Sequence, residues 1–256
     1  MRRADELRDS VEAYLGRLTL SADISGLEEA LRYALESQGK RIRPVICLAV
    51  AEAAGGDVDE ALPAAAALEL VHTFSLVHDD LPAMDDDDER RGRPSAHVAF
   101  GEGVALLAGD ALLAEALRLA LSYPDPAIAR ELVDATLGMI GGQYRDITGD
   151  DGDLAELHRL KTGRLFAASV GLGLRAAGMA DAEQAPWRTF GDELGLLFQV
   201  VDDILDDDGY ATSVGHATAR RLADDAAERA RDRLAALQAD TSVLRELVDG
   251  LAVRTG

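Results

Sequence analysis

Cysteine is nearly absent from this 256-residue sequence, in which Cys47 stands alone inside the apolar run from Val45 to Val50. One thiol cannot form an internal disulfide or a cysteine zinc cluster, so we expect a buried and unreactive side chain at this position. Aromatic residues make up only 4% of the chain. Because strands favour aromatic and β-branched side chains, this scarcity argues against a β-sandwich and for an aliphatic, helical core.

Positive charge is also scarce, since 26 lysines and arginines face 47 aspartates and glutamates and the formal net charge is −21. An acidic surface repels nucleic-acid phosphates and anionic lipid headgroups, so neither is expected as the main partner. No stretch reaches the roughly 18 uncharged apolar residues of a membrane span, and no apolar segment follows the basic N-terminal residues as in a signal peptide. We therefore expect a soluble, cytoplasmic protein.

Nucleotide-binding motifs are lacking as well, because the glycines from Gly171 to Gly178 have the wrong spacing for a dinucleotide turn and no P-loop is present. Apolar residues instead recur at helical spacing, as in Leu27 to Leu35 and Leu106 to Leu117. Glycine and proline residues interrupt this pattern at intervals that suit a helix bundle. The pattern predicts an all-α fold of roughly ten or more helices in a single domain over residues 1–256.

Two acidic segments end apolar stretches of the chain. The first, from His78 to Glu89, contains six aspartates, and the second, from Asp202 to Asp208, contains five. Asp202 and Asp206 are four residues apart and therefore share one helix face. Like charges at that spacing repel by about 1 kcal/mol in water-like surroundings and by about 4 kcal/mol at an effective dielectric constant of about 20. A solvated acidic face is one interpretation of such clusters, and a divalent-cation site is the other.

Two separate acidic segments favour a magnesium site. Mg²⁺ binds one or two carboxylates from a protein segment and leaves its other positions to waters and substrate phosphates. Lys40 and Lys161 are the only lysines, and arginine supplies the remaining positive charge. Because compact ammonium groups suit phosphate, these lysines, together with Arg90 and Arg91, predict a site for a diphosphate.

Together these segments resemble the trans-isoprenyl diphosphate synthase, or polyprenyl synthetase, family, and in particular its bacterial farnesyl diphosphate synthase branch. The resemblance extends over about residues 39–206, where seven motifs occur in the family's order. They are Gly39-Lys40-Arg41-Ile42-Arg43-Pro44, His72-Thr73-Phe74-Ser75-Leu76-Val77-His78-Asp79-Asp80-Leu81-Pro82-Ala83-Met84-Asp85, Arg90-Arg91-Gly92-x-Pro94, Leu107-Ala108-Gly109-Asp110, Gly141-Gly142-Gln143, Lys161-Thr162-Gly163 and Phe198-Gln199-x-x-Asp202-Asp203-Ile204-Leu205-Asp206.

The resemblance implies an all-α fold around a deep central cavity, usually in a homodimer. It also implies an enzyme that condenses isopentenyl diphosphate with an allylic diphosphate, either dimethylallyl or geranyl diphosphate, in trans and releases diphosphate. Farnesyl diphosphate is the expected product. The alternatives are geranyl or geranylgeranyl diphosphate synthesis and a weakly active regulatory subunit of a prenyl synthase. Mg²⁺, expected as three ions when substrate is bound, bridges the allylic diphosphate to both aspartate-rich motifs.

The resemblance also assigns roles to individual residues. It implies that the metal ligands are Asp79, Asp85, Asp202 and Asp206, and that Asp80 and Asp203 assist catalysis. The residues implied to contact the allylic substrate and to act in catalysis are Arg90, Lys161, Thr162 and Gln199. Those implied to bind isopentenyl diphosphate are Lys40, Arg43, His72 and Arg91. Chain length is expected to depend on Phe74 and Ser75, because Ser75 lies one helical turn below Asp79 and the ring of Phe74 would form the cavity floor.

The first motif depends on where its helix ends. Asp79 and Asp85 are six residues apart, or about 240° around an unbroken helix, so they would not share a face. Pro82 resolves this conflict if it ends the helix, because proline lacks a backbone donor and disfavours helical geometry in the preceding residue. If the helix continues, Asp86 is the residue in line with Asp79.

The sequence departs from the family pattern after Asp206. The family's lysine-containing loop is shortened here, near residues 207–216, and contains no lysine. Arg220 or Arg221 is a candidate substitute, although a solvated helix face is the simpler explanation for both. Two other classes of function stay open: a class I terpene cyclase, whose second metal motif the segment from Asp202 to Asp206 does not match, and an acidic helical binding module without affinity for Mg²⁺ or diphosphate.

Overall fold

The computed structural model describes residues 1–36, 39–149 and 154–255. More than ten α-helices dominate the fold, so the predicted all-α class is confirmed. The strand pairing in the described part is a two-residue antiparallel hairpin, Glu89–Arg90 (β1) with Arg93–Pro94 (β2). The helices are α1 (Ala4–Gly16), α2 (Glu28–Leu35), α3 (Ile42–Ala53), α4 (Val58–Asp79), α5 (Ala96–Phe100), α6 (Glu102–Ala120), α7 (Pro126–Thr148), α8 (Leu154–His158), α9 (Arg164–Ala176), α10 (Ala185–Asp206), α11 (Gly209–Val214), α12 (His216–Ala236) and α13 (Ser242–Ala252).

Helix α4 lies at the centre of the fold, where it packs against α3, α6 and α9. Fourteen of its 22 residues are buried, and many of these are alanines that allow neighbouring helices to approach closely. Among the described helices, α4 alone has the length and apolar composition of a membrane span, but 72% of its apolar window is buried inside the protein. Its burial identifies α4 as a core helix.

Helix α4 contains Pro63, which has no backbone N–H to donate to the preceding turn. The hydroxyl of Tyr123, which follows α6, is inserted into this turn. It accepts a hydrogen bond from the Ala64 N–H (3.1 Å) and donates one to the Glu60 carbonyl (2.6 Å). The tyrosine therefore satisfies two backbone groups that would otherwise bond to each other directly, and the helix continues through the proline.

Helix α4 ends at Asp79, close to the first acidic segment. The Met84 N–H donates to the Leu81 carbonyl (2.8 Å), and the Asp85 N–H donates to the Asp79 carbonyl (2.9 Å). These bonds form a compact turn around Pro82, so the prediction that the proline ends the helix is confirmed. Asp86 adopts a left-handed backbone (φ 55°), which excludes the continuous helix that would have aligned it with Asp79.

Helix α10 ends at Asp206, so Asp202 and Asp206 lie one turn apart on its last turns, as their spacing predicted. The next residue, Asp207, has a left-handed backbone (φ 55°) that stops the helix. The shortened segment then forms α11, a six-residue helix that the sequence analysis did not predict. Helix α12 follows directly at His216.

A buried ion network fixes the segment that precedes α3. Arg41 has a left-handed backbone (φ 48°), and its side chain is only 2% exposed. Its Nη1 donates to Glu69 of α4 (2.5 Å), its Nε donates to Glu12 of α1 (2.8 Å), and its Nη2 donates to the Leu35 carbonyl. The sequence analysis assigned no role to Arg41. It joins α1, α2 and α4 at the base of the segment that carries Lys40.

We expect Arg41→Met to lower the free energy of unfolding by about 3–5 kcal/mol, because Glu69, whose side chain is 4% exposed, would keep a buried charge without its cation. Chemical denaturation monitored by circular dichroism measures this change. Arg231→Met is the matched control, since Arg231 pairs with Asp249 (2.7 Å) on the surface and should cost less than about 1 kcal/mol. Equal losses in the two variants would show that the buried network does not stabilise the fold.

Candidate active site

A cavity of about 930 Å³ lies where the C-terminal parts of α4 and α10 meet. The start of α3, the hairpin, α6, α7, the π-helical segment Arg159–Gly163 and the end of α13 complete its wall. Both predicted acidic segments therefore contribute to one cavity. The predicted site residues that line it are Lys40, Arg43, His72, Phe74, Ser75, Asp79, Arg90, Arg91, Lys161, Thr162, Asp202 and Asp206.

Asp79 supplies the cavity with a carboxylate from the last residue of α4. Burial raises its pKa to about 6; Lys161 opposes this shift, and the neighbouring Asp85 carboxylate adds to it. Asp85 itself is exposed and outside the cavity lining, but the turn after α4 holds it close enough to act on Asp79. The two predicted metal ligands of the first motif are therefore neighbours.

Asp80 faces away from the cavity lining, although it directly follows Asp79. It is buried and accepts two hydrogen bonds from Arg90 of β1, one of them from Nε at 2.9 Å. Arg90 also contacts Asp87 (3.2 Å), and its guanidinium lines the cavity. Asp80 therefore positions Arg90 in the cavity wall, and its contribution to catalysis stays a prediction.

Asp202 and Asp206 face the cavity from α10. Burial raises the pKa of Asp202, and the neighbouring Asp206 carboxylate raises it further, whereas Arg43 opposes the shift. Lys40 opposes it as well. The cations predicted for isopentenyl diphosphate and the carboxylates of the second motif are therefore close together.

Asp203 is directed to the opposite side of α10 and is buried outside the cavity lining. Its carboxylate accepts hydrogen bonds from Gln199 Nε2 (2.5 Å) and from the Tyr210 N–H (2.8 Å), and lies 3.5 Å from His158 Nδ1. A Cβ at Gly209 (φ 48°) would collide with this carboxylate, so only glycine fits there. Asp203 therefore holds the shortened segment after α10, and Gln199 supports Asp203; the catalytic roles predicted for both stay predictions.

The carboxylates facing the cavity fit magnesium. Among the described residues, no three histidine, cysteine, aspartate or glutamate side chains are close enough to hold a metal ion by themselves. Two separate pairs of hard oxygen donors, Asp79 with Asp85 and Asp202 with Asp206, suit an ion that takes few protein ligands and completes its shell with water and substrate oxygens. The Asp85 carboxylate raises the pKa of Asp79, and the Asp206 carboxylate raises the pKa of Asp202, as expected for like charges that lie close together.

Arg43 and His72 lie together in the cavity wall, where Arg43 is charged and His72 is neutral. The guanidinium carbon of Arg43 lies 4.5 Å from the ring centre of Phe166 and 5.6 Å from that of Phe198. Its Nε is buried and has no hydrogen-bond partner in the described part of the chain, and burial lowers the pKa of Arg43 to about 10, so this side chain stays charged at neutral pH. Burial and the nearby Arg43 and Arg91 lower the pKa of His72, which is therefore neutral.

Gln143 lines the cavity, and the sequence analysis assigned it no role. Both polar atoms of its amide are buried and lack a partner. A buried, unsatisfied amide costs free energy unless a ligand or water completes its bonds, so Gln143 is a candidate substrate contact. The motif Gly141-Gly142-Gln143 was the signal in the sequence from which a role for Gln143 could have been predicted. Because Gly142 has no side chain, α7 approaches the backbone of Lys161, and Gln143 lies beside the segment that carries this lysine.

Comparison with known proteins points to one family. The polyprenyl synthetase family model matches residues 24–229. The chain is 43% identical over 215 residues to a heterodimeric geranylgeranyl pyrophosphate synthase large subunit of Arabidopsis thaliana, covering 77% of this chain and 58% of that protein. It is 40% identical over 228 residues to farnesyl diphosphate synthase of Geobacillus stearothermophilus, covering 82% of this chain and 76% of that protein. The chain thus spans less than two thirds of the Arabidopsis subunit.

Solved structures agree with this comparison. An FPP/GFPP synthase from Zymomonas mobilis is 29% identical with a TM-score of 0.87, and the match covers 97% of each chain. A geranyltransferase from Legionella pneumophila is 34% identical with a TM-score of 0.83, and the match covers 98% of this chain and 96% of the other. The helical architecture around the cavity is therefore shared with these proteins.

We expect Asp79→Asn to abolish activity and to stabilise the protein at pH 8. In the unfolded chain the carboxyl titrates near its ordinary pKa of 3.8, but in the fold near 6. The charged form therefore opposes folding increasingly as the pH rises from about 4 to about 6, and fully above that range. The variant should gain about 1–3 kcal/mol at pH 8 and little at pH 4.

Thermal unfolding at both pH values measures this difference, with Asp232→Asn on the exposed face of α12 as the control for removal of one negative charge. A variant of Asp79 that is destabilised at pH 8, or an equal gain in the control, would contradict the burial cost assigned to this carboxylate.

Proposed function

Because the chain belongs to the polyprenyl synthetase family, we propose that it is a Mg²⁺-dependent prenyltransferase that condenses isopentenyl diphosphate with dimethylallyl or geranyl diphosphate in trans and releases diphosphate. One observation carries this proposal: the carboxylates of Asp79 and Asp202, which are far apart in sequence, line one cavity together with both lysines of the chain. An acidic binding module gives no reason for this convergence. A terpene cyclase would need a different second metal motif.

The reaction begins with cleavage of the allylic carbon–oxygen bond, which places negative charge on the departing diphosphate. Bound Mg²⁺ would be held by Asp79, Asp85, Asp202 and Asp206 and would supply charge neutralisation to that diphosphate. Arg90, Lys161 and Thr162 line the same cavity, and the two cationic groups add electrostatic stabilisation of the leaving group. Lys161 is held in position by its ion pair with Asp146.

The second substrate, isopentenyl diphosphate, binds through its own diphosphate to Lys40, Arg43, His72 and Arg91. Neutral His72 offers a hydrogen bond from its N–H, while Arg43 is held on two aromatic rings before the substrate arrives. The double bond attacks the allylic cation, a proton is lost, and the released diphosphate is the nearest base. Positioning of two substrates side by side accounts for much of the rate.

The apolar part of the cavity determines product length in this proposal. Phe74 is buried, and its ring packs edge-on against His78 with 5.1 Å between ring centres. The Ser75 hydroxyl donates to the His72 carbonyl (2.9 Å), so this side chain is turned toward its own helix. The ring of Phe74 is therefore the bulky group that limits chain growth, and farnesyl diphosphate is the proposed product.

The test is incubation with Mg²⁺, isopentenyl diphosphate and, separately, the C5, C10 and C15 allylic diphosphates, followed by chromatography of the products. We expect the C5 and C10 substrates to give a C15 product. Phe74→Ala should lengthen the products to C20 or beyond, because the cavity floor is removed. Absence of any product would reject the proposed reaction, and an unchanged product spectrum from the variant would reject the role of Phe74.

We also propose that the chain forms a homodimer through α7. Five apolar residues on this helix, Val133, Leu137, Ile140, Tyr144 and Ile147, are each more than a third exposed. Their spacing of four, three, four and three residues is that of a coiled-coil seam, which suits pairing with the same seam of a second copy. Ile140, Tyr144 and Ile147 also line the cavity, so the second copy would cover the cavity wall.

Leu137→Glu should convert the dimer to a monomer, because a charge in the seam would be buried without a partner. Light scattering coupled to size-exclusion chromatography measures the mass. Leu121→Glu is the control, since Leu121 is 67% exposed but follows α6 outside the seam. A monomeric wild type, a dimer that survives the seam substitution, or equal dissociation by the control would reject this interface.

The remaining expectations concern the whole chain. We propose that residues 1–256 form one domain, which is supported by a continuous cluster of buried hydrophobic side chains from α1 to α13. A cytoplasmic location is proposed as well, supported by the burial of α4 and by the similarity to bacterial farnesyl diphosphate synthases.

A further inference from the structure

The shortened segment after α10, residues 207–216, brings no lysine or arginine to the cavity. The two candidate substitutes on α12 do not line the cavity either. Arg220 donates to the Ala252 carbonyl (3.1 Å), and Arg221 donates to a hydroxyl on its own helix (3.1 Å). Instead, the segment packs against His158, a buried histidine that the proposed reaction does not use.

Lys161 and Thr162 lie in the π-helical segment Arg159–Gly163, between α8 and α9. At its end the Arg164 N–H donates to the Arg159 carbonyl, five residues earlier instead of the four of an α-helix. The turn thus holds one residue more than an α-helical turn, and this changes the directions of its side chains. Such turns are rare overall but frequent at functional sites, so the contacts that fix this one determine where Lys161 and Thr162 point.

Two helices approach the backbone of this segment closely. A Cβ on Gly142 of α7 would lie 2.4 Å from the Lys161 nitrogen, and a Cβ on Gly195 of α10 would lie 3.3 Å from the Gly163 Cα. Both helices therefore fix the middle and the end of the segment through backbone packing. At its beginning, the side chain of His158 makes the contact.

His158 is the last residue of α8 and directly precedes the π-helical segment. Its side chain is buried, and its Nδ1 lies 3.5 Å from the Asp203 carboxylate of α10. Its ring packs edge-on against Tyr210 of α11, with 5.1 Å between ring centres. Asp203 in turn accepts hydrogen bonds from the Tyr210 N–H (2.8 Å) and from Gln199. A buried cluster of residues from α8, α10 and α11 thus lies at the start of the segment that carries Lys161.

The contact between His158 and Asp203 is incomplete in the unliganded protein. Nδ1 is buried and has no hydrogen-bond partner among the described residues, and 3.5 Å is longer than the usual bond. Burial lowers the pKa of His158 and Lys161 adds to this shift, whereas Asp203, Asp146 and Asp208 oppose it. The ring is therefore neutral at neutral pH and can carry its proton on Nδ1. A buried donor without an acceptor costs free energy, which a shift of about 0.5 Å toward Asp203 would remove.

We propose that His158 is a positioning residue for the allylic diphosphate: when substrate binds, its Nδ1–H donates to Asp203 and so fixes the π-helical segment, with Lys161, against α10. This inference rests on the proposed function. Hydrogen bonds at active sites are often long without substrate and shorten in the complex, as this contact would. The shortened segment after α10 then supports the site from behind, through Tyr210, in place of a cation of its own.

Three substitutions of His158 test the proposal by steady-state kinetics, with each substrate varied separately at a saturating concentration of the other. Leucine fills the space but cannot donate, asparagine places an amide N–H near the position of Nδ1, and glutamine places it near that of Nε2. His158→Leu and His158→Gln should raise KM for the allylic diphosphate about tenfold, through loss of one hydrogen bond to a charged group, and change KM for isopentenyl diphosphate less than about twofold. His158→Asn should stay within about threefold of the wild type.

His216→Leu is the control, because it removes another histidine–aspartate contact from the same segment. His216 Nε2 lies 2.8 Å from Asp207, but both side chains are exposed, so this pair contributes little. Both KM values should therefore stay within about twofold of the wild type. Thermal unfolding of every variant separates a loss of binding from a loss of fold. If His158→Leu does not fold, the comparison of the asparagine with the glutamine variant decides.

An allylic KM within about twofold of the wild type in folded His158→Leu or His158→Gln would overturn the proposal. An asparagine variant as impaired as the glutamine variant, a larger effect on isopentenyl diphosphate, or a comparable loss in His216→Leu would overturn it as well. If the wild type forms no product, the proposed function fails by itself. Calorimetric binding of inorganic diphosphate in the presence of Mg²⁺ then decides on His158: about tenfold weaker binding by the glutamine than by the asparagine variant supports its role, and equal or undetectable binding rejects it.

Discussion

The close approach of carboxylates at one cavity is the constraint on which the rest of this structure depends. Two core helices, α4 and α10, each end in a carboxylate that faces the cavity, and each is followed by a backbone turn that stops the helix there. In both segments the adjacent aspartate, Asp80 or Asp203, points away and bonds to neighbouring protein groups. In each acidic segment, therefore, some carboxylates face the cavity and a neighbouring one bonds to protein groups that support the site.

The sequence was sufficient to predict several features that depend on local spacing, although not the short helix α11. Helical periodicity indicated the all-α class, Pro82 indicated the end of α4, and the spacing of Asp202 and Asp206 indicated their common face. Contacts between distant segments could not be predicted in this way. The pairing of Arg41 with Glu69 depends on how α3 and α4 pack, and the approach of His158 to Asp203 depends on how the π-helical segment packs against α10, so neither has a local signal.

The short motif before α3 shows how similar residues acquire different functions. Lys40 is exposed and has no ion-pair partner among the described residues, Arg41 is buried in an ion network, and Arg43 stacks on aromatic rings. Because Arg41 has a left-handed backbone, its side chain points in a different direction from those of Lys40 and Arg43. The Arg41 guanidinium is buried in the core, whereas the Lys40 and Arg43 side chains line the cavity. Exchange of lysine and arginine within this motif would therefore not be conservative.

The aromatic support of Arg43 has a consequence for the energetics of substrate capture. Its guanidinium already packs against the rings of Phe166 and Phe198 before a ligand binds, and its Nε is already removed from water. The unfavourable desolvation and ordering of this side chain are thus completed when the chain folds, and they do not reduce the affinity for an incoming anion. The aromatic side chains Phe166 and Phe198 thus belong to the hydrophobic core and also position a cation for an anionic ligand.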